Sequence, residues 1–584
     1  MKRNFYKSLL VILALISHLS LWAQSTPKHE HRSAWVTTAW RMCWPTTYGT
    51  GTSVASAQKA EADAILNIMQ ENGFNTVYFQ VRGMSDAMYK SSYEPWSSYI
   101  TGSRGTAPSY DPLEYWVQAC HSRGMACYAW VNPYRYESAE GTWGTADYRK
   151  NNPSWLMTYN SAVILNPGMA EVRKRIVDVC REIVQNYDID GLVFDDYFYL
   201  NSIPNSYDSN LYKASGSSLS QADWRRENVN TMVREVYNMI QSTKPYVRFG
   251  ISPAGVSKES ASKYGISTSS ISSASDWQYS QIYSDPLAWL GEGTVDFISP
   301  QLYWVTSHST NGYAKLSKWW SDACSKYFNR HFYSSHSISF LHGANTTSNW
   351  AEIATQIQYN RDYTGNNAAG CVLFGSRDFT GVRNAGLAPY LKPNKFQNLA
   401  LQPAITWKNA TNPGPVSNIA LSGSKLTWTG YNNMRYAVYA VPNGVTPGSD
   451  VASNSLIGNP YETSFDVSGY TSGYQLGVSV VDRYGNEYEV TWLGSSSVVE
   501  QLPQVTITDP KDGSTTAETF SFNWTAIEGA TYTLEISTTS AFSSVAFSKT
   551  TTATTLSSTA FNLAQGTTYY WRVKASKSGY ASST

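Results

Sequence analysis

Charged side chains are scarce in this chain of 584 residues: Asp, Glu, Lys and Arg together make up 15% of it, and they nearly cancel to a formal net charge of +1. With no basic excess, neither nucleic acid nor an anionic membrane is expected as a partner. Cysteine is sparse as well. Cys43, Cys120, Cys127, Cys180, Cys324 and Cys371 include no C-x-x-C pair and no Cys/His cluster with zinc spacing. Most read as buried free thiols, with Cys120 and Cys127 as the one pair considered for a disulfide. No Gly-rich dinucleotide fingerprint occurs, and no cofactor or metal is expected. Beyond the first residues, no apolar run is long enough to cross a bilayer.

What is plentiful is Tyr, Trp, Ser, Thr and Asn. That balance suits an extracellular protein meeting neutral, hydroxyl-rich ligands. The N-terminus agrees. Lys2, Arg3 and Lys7 precede an apolar run from Leu9 to about Leu21, and Ala23 suits signal-peptidase cleavage. Residues 1–23 therefore read as a secretory signal, with a retained anchor as the alternative. No Cys lies near the junction to carry lipid. The mature protein is expected to be exported to the periplasm, cell surface or medium, without a membrane span and as a monomer.

Length implies several domains. Near residue 395 the composition changes from alternating apolar runs and helical patterns to Ser/Thr/Gly-rich strands. Eight strand candidates precede the change: Ala34–Ala39, Thr76–Arg82, Ala126–Asn132, Asp190–Asp195, Val247–Ser252, Phe297–Leu302, His331–His336 and Gly370–Gly375. Most are continuous apolar or β-branched runs, as in parallel strands buried on both faces. Helical patterns lie between them, one of them (Ala60, Ala64, Ile65, Ile68, Met69) ending at Gly73, a C-cap candidate. Residues 30–395 thus read as a (β/α)8 TIM barrel, with an open doubly wound sheet as the alternative. Two all-β sandwiches of immunoglobulin or fibronectin III type are expected at 413–502 and 503–584, the second incomplete.

In such a barrel, functional side chains come from the C-terminal strand ends. Those ends supply Trp40, Gln80, Arg82 and Asp86, then Asn132, Tyr134 and Arg135. Asp195, Asp196 and Tyr197 follow, then Gln301, Tyr303, Trp304, His336 and Asp378. The sharpest signal is Asp195-Asp196 directly after an apolar strand. Adjacent carboxylates are costly unless solvated, protonated in part, or paired with a cation such as Arg82 or Arg135. Neighbours on an extended strand point to opposite sides, so one of the two is expected to reach the substrate. Glycosidic cleavage usually needs two carboxyl groups. Asp195 and Asp196 are assigned the catalytic role. The second group is open among the other member of the pair, Asp86, Asp378, or a substrate N-acetyl group. The remaining residues are assigned to substrate binding, weighed against plainer roles: rim packing for Trp40, Tyr303 and Trp304, a satisfied strand-end histidine for His336, a structural ion pair for Arg82.

Several segments carry a resemblance. Among them are His31 to Val36, Phe74 to Arg82, Tyr93 to Ser97, Tyr110 to Leu113, Ala129 to Arg135, Asp190 to Tyr197, Trp224 to Val229, Gly250 to Pro253 and Gln301 to Trp304. Over about residues 30–395 the chain resembles the glycosyl-hydrolase-like 10 family of bacterial proteins. The resemblance implies a glycosidase-related barrel, usually exported, with bacterial cell-wall glycan as the substrate class. Asp190-Gly191 and Asp195 also fit the strand-4 frame of family-18 chitinases, but Tyr197 stands where their acidic Glu would be, and Val193 replaces an Asp. The expected function is hydrolysis of a polysaccharide, with an N-acetylated cell-wall glycan first. A non-catalytic glycan-binding barrel and a surface scaffold are the alternatives. Because no metal-ligand cluster is visible, chelation should leave activity unchanged; loss of glycan cleavage in EDTA would contradict this.

Overall fold

The computed structural model describes residues 26–136, 151–338, 347–363, 368–380, 385–446, 451–494, 500–542, 544–577, 580–581 and 583. The expected signal segment lies outside them. The strands of the N-terminal part are β1 (His31–Val36), β2 (Thr76–Arg82), β3 (Ala126–Val131), β4 (Arg135–Tyr136), β5 (Leu156–Tyr159), β6 (Ala162–Leu165), β7 (Gly191–Phe194), β8 (Arg248–Ile251), β9 (Phe297–Ile298), β10 (His331–Ser337) and β11 (Ala368–Phe374). Eight of them close a parallel barrel in the order β1-β11-β10-β9-β8-β7-β3-β2. Between or after them lie helices α1 (Thr52–Glu71), α2 (Pro112–His121), α3 (Ala170–Asn186), α4 (Gln221–Thr243), α5 (Pro286–Glu292), α6 (Tyr313–Asp322), α7 (Thr347–Asp362) and α8 (Leu387–Asn394). The remaining strands, β4, β5 and β6, form a small antiparallel sheet in the segment between β3 and α3, which the sequence reading did not anticipate.

The expected strand positions differ at the ends. β1 begins at His31 rather than Ala34, because its polar start is satisfied inside the protein. Arg32 is fully buried and pairs with Glu30 at 2.7 Å, and Glu30 also meets Arg361 at 2.8 Å. β9 is only two residues long; the next residue, Ser299, still bonds Ile251 O, but Pro300 has no N–H to continue the ladder. Gly73, expected as a cap, has φ +80°, and a Cβ there would come 2.8 Å from Phe396 O. All six cysteines are free thiols, so Cys120 and Cys127 are not bridged.

The barrel interior is filled by rings set against glycines. His31 stacks on Tyr333 with centroids 4.1 Å apart, and Tyr78 stacks on Tyr128 at 5.2 Å. These rings fit because neighbouring strands place glycine beside them. A Cβ on Gly191 would lie 2.6 Å from the Tyr128 ring, and one on Gly250 would lie 2.4 Å from Phe297. Large residues set against small ones fill the barrel interior.

Residues after 395 form mainly antiparallel sheets. β12 (Ser417–Ser422), β13 (Lys425–Thr429), β14 (Arg435–Pro442), β15 (Leu456–Gly458), β16 (Ser464–Asp466), β17 (Tyr474–Val481) and β18 (Glu487–Trp492) make a first module of two sheets, β12-β13-β16 and β15-β14-β17-β18. Its core includes Trp428 against Tyr436. A second module repeats the plan with a three-stranded sheet centred on Ser521–Trp524 and another centred on Thr531–Ser537.

The first module is docked on the barrel floor, where the strands begin. Asp190 accepts from Tyr461 at 2.8 Å and pairs with His121 at 2.9 Å and Arg483 at 3.2 Å. Arg248 reaches down from the barrel interior to Pro403 O and Tyr484 O. The void of about 490 Å³ at this seam lies at the end of the barrel opposite Asp195. Replacing Gly250 by Ala should destabilise the barrel by about 1–3 kcal/mol or more, read by denaturant titration of the full chain; an unchanged midpoint would contradict the packing described.

Candidate active site

Side chains on β7 alternate, so Gly191 and Val193 point into the barrel and Asp195, just past the strand end, continues that inward series. Asp195 is buried and surrounded by N–H donors. Asn132 Nδ2 and Trp130 Nε1, the latter at 3.2 Å, donate to Oδ2, and the Tyr197 backbone N–H approaches Oδ1 at 3.4 Å. Asn132 is held in turn. Its Oδ1 accepts from Gln80 Nε2 at 2.7 Å, and Gln80 Oε1 accepts from the backbone N–H groups of Thr38 and Ala39.

Asp196 turns the other way and lines a cavity of about 440 Å³ above the strand ends. Trp40, Arg135, Tyr136, Tyr159, Tyr197 and Trp277 share its wall. Trp40 and Tyr197 are 57% and 48% exposed, large aromatic surface left open to solvent. The Arg135 guanidinium lies between them, 4.7 Å from the Trp40 ring and 4.6 Å from that of Tyr197. Trp40 has φ +54° and Arg41 φ +53°, a left-handed turn that bulky side chains rarely adopt. Such a conformation costs on the order of 1–3 kcal/mol and persists where the surroundings enforce it. Here it swings the Trp40 ring to the cavity rim.

Burial pushes both carboxyl groups of the pair above the usual carboxylate range, Asp195 to about 8. For Asp195 the adjacent Asp196 adds to that push, while Arg135, the Tyr197 N–H and the Trp130 indole oppose it. For Asp196 the opposition comes from the Gln301 side chain, its own backbone N–H and Arg135. The pair can therefore retain a proton near neutral pH, as a general acid must.

The other residues singled out from sequence divide. Gln301 donates to Ser252 O at 3.1 Å, and its side chain opposes the upward push on Asp196. Tyr303 is half-buried, its hydroxyl 3.4 Å from Ser335 Oγ, and it senses both Asp charges. Trp304 packs over Gly255, where a Cβ would come 2.8 Å from its ring. Besides Gln80 and Asn132, four residues read as substrate contacts stand elsewhere. Arg82 is fully buried, paired with Glu94 at 3.1 Å and donating to Asn132 O and Pro133 O. Register shifts between Gln80 and Arg82, so the two do not alternate regularly to one face. Asp86 is buried and accepts from Met84 N at 2.8 Å. Tyr134 lies in the hydrophobic core. His336, on the outer face of β10, bonds Ser334 and Gln356 and stacks on Tyr313. Burial pushes it down to about 4, so it is a neutral structural histidine. Asp378 is buried in the short helix after β11 and is not part of the cavity wall.

Sequence reasoning missed Trp130, although it shares the parity of Asn132 on β3. It also missed the β5–β6 hairpin residues Tyr159 and Asn160, and Trp277, which only the fold brings to the cavity. Among the described residues no cluster of three or more His, Cys, Asp or Glu side chains converges as a metal site would require.

The glycosyl hydrolase-like 10 family model matches residues 30–349. The chain belongs to that family. It is 32% identical over 421 residues to the glycosyl hydrolase YngK of Bacillus subtilis (strain 168), which covers 69% of this chain and 79% of that protein. It is 37% identical over 311 residues to the glycosyl hydrolase DigH of Escherichia coli (strain K12), covering 50% of this chain and 69% of that one. Among solved structures, the PgaB glycoside hydrolase domain of Bordetella bronchiseptica aligns with a TM-score of 0.40 at 11% identity, over 63% of this chain and 99% of that one.

Since Arg82 is buried against Glu94, Arg82→Met should cost about 3–5 kcal/mol of stability, measured by chemical denaturation. A loss within about 0.5 kcal/mol would return Arg82 to the surface of the site.

Proposed function

We propose that this protein is an exported glycoside hydrolase acting on a β-linked, N-acetylated glycan, with bacterial cell-wall strands as the first substrate. The observation that carries this reading is the division of labour at the end of β7. Asp195 is buried among N–H donors, and Asp196 faces an aromatic-walled cavity. Asp196 protonates the leaving glycosidic oxygen. Among the described residues lining the cavity it is the only carboxyl group, so the substrate itself supplies the nucleophile. The acetamide oxygen attacks the anomeric carbon as the glycosidic C–O bond breaks, and Asp195, as carboxylate, balances the charge on the acetamide nitrogen. Asp196 then takes a proton from the water that opens the cyclic intermediate, and the anomeric configuration is retained.

Trp40 and Tyr197 offer sugar-stacking faces, and Arg135 between them keeps those rings and the Asp pair in register. The two C-terminal modules fit fibronectin III-like spacers that hold the barrel near a polymer or surface. A purely glycan-binding role is the competing reading, favoured by the single carboxyl on the cavity wall.

The decisive measurement is incubation of the full chain with peptide-free peptidoglycan strands, chitin oligomers and plant polysaccharides, with products read by mass spectrometry and anomeric configuration by NMR. Asp195→Asn and Asp196→Asn should each lower kcat/KM about 10²–10⁴-fold on N-acetylated substrates. Full activity in both would remove the pair from the mechanism; binding without products in the unaltered chain would leave a lectin. The pH profile should be bell-shaped. Activity falls at low pH as the pair takes up a second proton and at high pH as it loses its last one.

A further inference from the structure

Resting on the reading of the Asp195–Asp196 pair as acid–base machinery, we propose that Gln80 and Asn132 are positioning residues: a two-amide relay, anchored on the backbone of Thr38 and Ala39, that presents an N–H to Asp195 and favours its charged form. Both had been read from sequence as substrate contacts. They are 1% and 0% exposed and do not line the cavity.

An amide side chain has two ends of similar shape, and its direction is ordinarily inferred from its neighbours. Here the neighbours leave one choice. Thr38 N and Ala39 N lie 2.9 and 2.8 Å from one end of the Gln80 amide. Backbone N–H groups only donate, so that end is the oxygen. The nitrogen end must then face Asn132, at 2.7 Å, and the Asn132 atom that receives it must be oxygen. The remaining Asn132 atom, Nδ2, is therefore the one on Asp195 Oδ2. The Trp130 indole N–H, also incapable of accepting, stands 3.2 Å from the same oxygen. A proton on Oδ2 would have no acceptor among these neighbours, and the atom approaching Oδ1 is the Tyr197 N–H.

Hydrogen bonds to a charged form favour that form. The sense of the relay is thus set at the end of β1 and read out across two strands at the end of β7. The titratable groups facing Asp195 are Asp196 and Tyr197 beyond its own strand, Arg135 beyond β3 and Tyr303 beyond β9. Arg135 opposes the upward push on both carboxyls, whereas the amide relay acts on Asp195 alone.

The test is Gln80→Glu in the full chain. One carboxylate oxygen keeps the two backbone donors, but the other now faces Asn132, which must turn its nitrogen toward it and its oxygen toward Asp195. Asp195 then satisfies that oxygen only by keeping a proton. The acid limb of the kcat/KM profile on N-acetylated glycan strands should move up by about one pH unit or more. At neutral pH, kcat should fall about tenfold or more and by a larger factor than KM rises. Asn132→Leu, which removes the donor without adding charge, should move the limb in the same direction. A residue that merely packs would lower stability without moving the limb. Thermal melts between pH 5 and pH 8 supply a readout that needs no activity. Raising the folded-state affinity of Asp195 for its proton makes each variant lose stability relative to the unaltered chain as pH rises. Wild-type pH profiles in both variants overturn the relay. If the unaltered chain cleaves no glycan, the catalytic reading fails by itself, and the pH dependence of the melts still decides the relay; parallel curves in all three proteins overturn it.

Discussion

A carboxyl group buried at the end of a barrel strand must find hydrogen-bond donors or surrender its charge, and the upper half of this structure is arranged around that requirement at Asp195. Strand alternation turns Asp195 inward after Gly191 and Val193. The same alternation on β3 turns Trp130 inward, and Asn132 beyond the strand end meets the same carboxylate. Gln80 on β2 holds Asn132, and the turn after β1 holds Gln80. Four neighbouring strands therefore commit side chains or main-chain groups to one oxygen pair. Asp196 is released from that duty and faces the cavity.

The two ends of β7 show how environment divides identical residues. Asp190, just before the strand, is as buried as Asp195. Burial alone would raise it, but His121 and Arg483 hold it well below the ordinary carboxylate range. It serves as an anchor for the first C-terminal module through Tyr461 and Arg483. Asp195 receives neutral N–H donors and lies beside another carboxyl, and it moves in the opposite direction. Firmly paired charge sits at the floor, where docking is needed, and titratable charge sits at the mouth, where chemistry is expected.

Much of the barrel was legible because its signal is local and repeated. Eight apolar runs separated by helical periodicity each became a barrel strand, with errors confined to ends such as His31 and Ile298, where buried ion pairs or a proline override hydrophobicity. The mouth was legible only in outline. Position at a strand end singled out Asp195, Asp196, Asn132 and Gln80, but it could not separate a side chain that meets the cavity from one that supports it. Arg82 was misjudged because an irregularity after Gln80 breaks the period of two, and Tyr134 because its ring enters the core. His336 was misjudged because even and odd positions of β10 face different layers, and the last strand residue is Ser337.

The sequence by itself determined the barrel, its family and the strand end that carries the paired carboxyls, because burial on both faces of a parallel strand and a polar strand terminus are written in consecutive residues. Only the tertiary structure decided the direction of each amide, the union of Trp40 and Tyr197 around Arg135, and the buried fate of Arg82 and His336. Those outcomes depend on groups far apart in sequence meeting at hydrogen-bond distance, and no local pattern encodes which donor an acceptor will face.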